Sequence, residues 1–148
     1  MRLIVQSFAS GFELCARLGL VFVAGERLGG RIVHAVLGGS PSAQAGIEAR
    51  DIIFAVDQTP WETVRRLNFS DRRPSEITLR VFVARYFAVT GVTVRVPPQP
   101  YQPLDDIAAE AAAIIAARPM PDTRPYQNPR FDEVRELLAR FSRRRRRR

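Results

Sequence analysis

Lysine is absent from this 148-residue chain, so all 23 basic residues are arginine. Such uniformity reads as a compositional bias, and no single arginine is marked out by its identity. Cysteine occurs once, at Cys15. That excludes an internal disulfide and any zinc site built on several thiolates, and the residue reads as a small buried strand position. Histidine also occurs once, at His34, in an apolar run with no Asp or Cys beside it; neither a metal site nor a catalytic set is built around it. No His-Glu-x-x-His motif and no Gly-x-Ser-x-Gly turn is present, which removes the usual zinc-peptidase and serine-hydrolase signatures. Ser40 and Ser42 read as cap and turn residues, and Asp51 and Asp57 as turn residues flanking a buried strand. The expectation is a protein that is not an enzyme, with no cofactor and no metal.

Long hydrophobic runs are missing too. Although 46% of residues are hydrophobic, no stretch reaches the roughly 18 to 20 unbroken apolar residues of a membrane helix. Near the N-terminus Gln6, Glu13 and Arg17 interrupt the apolar residues before a secretory signal could form. The reading is a cytoplasmic protein with no signal peptide and no transmembrane segment. The formal charge of +8 is unevenly placed: six of the arginines are Arg143, Arg144, Arg145, Arg146, Arg147 and Arg148, and without them it falls to +2. The basicity is therefore a tail on a nearly neutral body. The tail reads either as a solvated end or as a contact for nucleic acid or anionic membrane lipid.

Among the residues present, the organising stretch is Val36 to Asp57. Gly38, Gly39, Ser40 and Pro41 end one apolar run, Ser42 to Ala45 is too short for more than about a turn and a half of helix, and Gly46 closes it. Ile52 to Val56 is apolar without alternation, as in a strand buried on both faces. Upstream, Leu14 to Val23 reads as a strand interrupted by Gly19 and paired with Arg31 to Val36, with Ser7 to Gly11 a loop. Downstream, Pro60 or Trp61 opens a helix carrying Val64 and Leu67 on one face. Glu76 to Val83 and Val89 to Val96 alternate with period two and form a hairpin around Ala84 to Ala88.

Gly-Ser-Pro-x-x-x-Ala-Gly-Ile followed by Asp-Ile-Ile-x-x-Val-Asp resembles the central signature of bacterial PDZ domains. It is most similar to the PDZ modules of glycyl aminopeptidase-like and high-temperature-requirement proteases. The likeness covers roughly Leu14 to Pro97, with Arg50 standing where the family usually has Gly. It implies an α+β fold, a PDZ-like small β-sandwich or partly open barrel with two helices. It also implies a non-enzymatic module that takes protein C-termini or extended peptides by strand addition, as an adaptor or as the regulatory part of a proteolytic system. In the family the peptide carboxylate sits over a Φ-Gly-Φ loop, a position held here by Leu18-Gly19-Leu20, where Gly lets backbone N–H groups converge on an anion. Arg17 would add charge. Leu18, Leu20, Val64 and Leu67 would wall the pocket, with Val21 and Phe22 further along the strand. The rival reading is a nucleic-acid or anionic-membrane binder that uses this fold as a scaffold for the arginine tail.

The resulting division is a lead-in over 1–13, the PDZ-like domain over 14–97 and a Pro-rich linker over 98–103. A helical extension follows over 104–142, with helices at 104–118 and 129–142, and then the tail at 143–148. In the first helix Asp105 and Asp106 precede an apolar stripe of Ile107, Ala111, Ile114 and Ile115, enough to dock on a surface but not to fold alone.

Overall fold

The computed structural model describes residues 3, 5–25, 29–57, 59–61, 75–121 and 136. In chain order the elements are β1 (Val5–Phe8), β2 (Phe12–Cys15), β3 (Leu20–Val23), β4 (Arg31–Val36), α1 (Pro41–Gln44), β5 (Ile52–Val56), β6 (Thr59–Pro60), β7 (Ser75–Val83), β8 (Ala88–Val96) and α2 (Leu104–Ala117). The fold is α+β, with one antiparallel sheet of eight strands that does not close and two helices among the described residues. Strand order is β1-β2-β3-β4-β5-β7-β8, and β6 pairs with β5.

Side-chain period explains how the sheet is filled. Along β7, Ile77, Leu79 and Val81 are buried together in the main core, while Thr78 and Arg80 on the other face are half-buried. β5 has no polar face because both of its faces are covered. Ile53 and Val56 enter the main core, and Ile52, Phe54 and Ala55 enter a second cluster with Phe82. Register shifts occur between Ile53 and Ala55 on β5 and between Val21 and Phe22 on β3, each the signature of a bulge. Trp61 is buried edge-on against Phe22, with ring centroids 5.0 Å apart.

α1 forms as its sequence dictates: the Ser40 hydroxyl accepts from the Ala43 N–H at 3.1 Å, and Pro41 occupies the first turn. Gly46, at φ +85°, follows it. α2 carries Asp105 and Asp106 in its first turn, where the helix dipole favours them. Its Ile107 and Ala111 are fully buried against Phe12, Leu14, Val21, Ala35 and Leu37, with Ile114 and Ile115 partly buried beside them. The helix after the Pro-rich segment thus docks back onto the outer face of β2, β3 and β4.

Three expectations are corrected. Leu14 to Val23 is not one strand but the end of β2, a turn over 16–19, and β3. Residues 1–13 are more than a lead-in: Val5–Phe8 and part of β2 extend the sheet, Leu3 is in the core, and only 9–11 turn between the strands. The first helix of the extension ends at Ala117, with Arg118 already extended. The expected helix after Trp61 and the one at 129–142 lie outside the described residues, apart from Trp61 and Glu136.

Candidate functional site

The Leu-Gly-Leu segment sits at the β2–β3 turn, where its backbone groups are consumed internally. The Gly19 N–H donates to the carbonyls of Cys15 (2.9 Å) and Ala16 (3.3 Å), and the Gly19 carbonyl accepts from Leu37 N–H at 2.9 Å. The Leu18 carbonyl accepts from Ser42 N–H at 3.1 Å. The N–H groups of Arg17 and Leu18 bond to the Cys15 thiol, yet burial outweighs them and pushes it up to about 12. Gly19 adopts φ +72°, and a Cβ there would lie 2.1 Å from Ser40 Cβ and 3.2 Å from Tyr101 Oη. Glycine is required at this point because another part of the chain leans on it.

The expected ligand groove is therefore corrected in place. β3 pairs with β2 from Phe12↔Val23 to Cys15↔Leu20 on one side and with β4 on the other, so no backbone edge remains for an added strand. Leu18, Leu20, Val21 and Phe22 are fully buried. Arg17 donates from Nη2 to the Pro97 carbonyl at 2.6 Å. The structure brings Arg17 to Phe22 together, with Arg17 half-buried and Leu18 to Phe22 in the interior. Val64, Leu67 and Arg143 to Arg148 lie outside the described residues. One local signal for this hairpin was present: Phe-Glu-Leu-Cys and Leu-Val-Phe-Val flank four residues ending in Gly, a spacing that suits a hairpin loop.

Among the described residues the sheet ends at two edge strands, β1 with four residues and β8 with nine, and the long edge is β8. It pairs only with β7 among the described strands, in unbroken register from Ser75↔Val96 to Val83↔Ala88. Ala88 to Gly91 are exposed on both faces, whereas Val94 and Val96 are buried. Close to the buried end, Arg17 reaches Pro97, and α1 lies near the strand. The β7–β8 turn is fastened by Asp51, whose carboxylate accepts from Ala84 N–H (3.2 Å) and Glu48 N–H (3.1 Å). Burial holds that carboxyl above its ordinary value. At the turn Tyr86 is 70% exposed, with the Arg85 guanidinium 4.6 Å from its ring centre, and Arg85 pairs with Glu48 at 2.6 Å. Val89, 37% exposed, continues this apolar surface onto the strand.

Among the described residues, no three His, Cys, Asp or Glu side chains gather to hold a metal ion, and no helix is long and apolar enough to cross a membrane. The chain matches no model of a known protein family and no curated protein.

Proposed function

We propose that this chain is a non-enzymatic, PDZ-like interaction module that takes an extended peptide as an added strand, and that the strand is added at β8. The observation carrying this reading is the regular nine-residue edge of β8, which pairs on one side only among the described residues. Proteins usually blunt such an edge with proline, bulges or inward charge. β8 contains no proline and no register shift, and Arg95 is its one charged residue. An extended partner would gain backbone hydrogen bonds along Ala88 to Gly91, and Val89 and Tyr86 would supply apolar contact. The function stays what the PDZ resemblance implies, an adaptor or a regulatory part of a proteolytic system, while the seat moves from β3 to the other end of the sheet.

The test is binding of a synthetic peptide of alternating Thr and Val, measured by titration, beside an analogue N-methylated at alternate backbone positions. Strand addition requires the analogue methylated on its pairing edge to lose binding; equal affinity of both peptides would refute it. A second reading, polyanion binding, is favoured by one feature, the run from Arg143 to Arg148. It concerns a different part of the chain and is compatible with the first.

A further inference from the structure

Val21 is paired with Ala35 and Phe22 with Val33, which leaves His34 as the additional residue of a bulge in β4. A bulge re-aims a side chain, and the His34 ring lies tilted on Phe12, with centroids 4.6 Å apart at 42°. Phe12 belongs to the cluster that buries Ile107 and Ala111 of α2. His34 is 7% exposed, and its Nε2 is buried with no hydrogen-bond partner. Burial, and after it the charge of Arg118 at the end of α2, hold the imidazole below its ordinary 6.5.

As a neutral ring His34 packs like any aromatic. As an imidazolium it would place a cation in the interior, opposed by the positive charge of the exposed Arg118 and carrying an N–H donor with no acceptor. The surrounding charges do not compensate. On β2 and β4, Glu13 and Arg31 pair with each other at 3.4 Å. β1, β3 and β5 carry no ionisable side chain. On α2, Asp105 and Asp106 stand in the first turn, at the opposite end from Arg118, and Glu110 faces Gly38.

We propose that His34 is an acid-sensitive latch for α2, whose protonation releases the helix from the face of β2, β3 and β4. The sign follows from linkage. A histidine depressed in the docked state supports docking above its ordinary value, and that support is lost as pH falls from there through the docked value. Between the two values the opening equilibrium rises by at most about tenfold per pH unit.

Amide hydrogen exchange of α2 in the full chain, from about pH 8 to about pH 5, corrected for the intrinsic rate and referenced to β5, reads this directly. Opening of α2 relative to β5 should be level at the alkaline end and climb below the ordinary imidazole value, approaching that slope. His34→Gln should remove the dependence. His34→Leu, which keeps the site apolar, should do the same and serves if the amide variant does not fold. Arg118→Gln should retain the dependence with smaller amplitude. A flat profile in the wild-type chain, or the same pH dependence in the His34 variants, would overturn the proposal.

Discussion

Gly19 shows how one residue can be rightly singled out for the wrong partner. The sequence marks it as a place where a side chain is not tolerated, and the structure agrees, but the neighbour is Ser40 rather than a ligand carboxylate. Nothing local to Leu18-Gly19-Leu20 tells these apart, because the contact spans the chain from the β2–β3 turn to the N-cap of α1. Gly19→Val should therefore destabilise the fold itself rather than leave an equally stable non-binder. A positive φ and a Cβ inside Ser40 together cost about 2–5 kcal/mol, measurable as a loss of unfolding free energy in denaturant. Position 50 tells the complementary story. Arg50 replaces the glycine that the PDZ signature leads one to expect, yet its φ is +80°, so the turn keeps a glycine-like backbone with an arginine on it. Cys15 gives a second prediction at this scale. Its thiol is fully buried and pushed up to about 12, so a thiol-specific reagent at mildly alkaline pH should label the protein only after denaturant is added. Labelling of the native chain at the denatured rate would contradict the placement of the β2–β3 turn.

Elements were legible where their period was clean. β7 and β8 alternate, β5 is apolar throughout between turn residues, and α2 repeats its isoleucines and alanines at helical spacing; each occurs within a residue or two of its expected range. The β1–β2 hairpin was not legible. β2 and β3 read as one apolar run because the turn between them contains Leu18, which is buried, and a single glycine. Which strand covers the edge of β3 is a long-range pairing that local pattern does not encode. The docking of α2 was legible as a stripe without an address. Its energetic weight is testable: Ile107→Ala removes a fully buried side chain and should cost about 2–4 kcal/mol. Ala112→Ser, on the exposed face, should change stability by no more than about 0.5 kcal/mol. Equal effects of the two substitutions, measured by thermal or denaturant unfolding, would show that α2 does not rest on the sheet through this stripe.

At the scale of the molecule, charge and fold separate. Deleting Ser142 to Arg148 lowers the formal charge from +8 to +2, so binding to RNA or anionic vesicles should fall sharply with little change in melting temperature. Raising salt should have the same effect as the deletion, since contact with several phosphates depends on counterion release. Polyanion binding that survived both treatments would place a basic site on the body. Peptide capture should respond far less, because it rests on backbone pairing and apolar contact. Whether this pairing happens at β8 is read by residue-resolved amide exchange on the full chain with and without saturating Thr-Val peptide. Slowed exchange should concentrate in Ala88 to Val92, with Leu20 to Val23 unchanged because both sides of β3 are already paired. Protection appearing at Leu20 to Val23 instead, with β8 unaffected, would contradict pairing at β8.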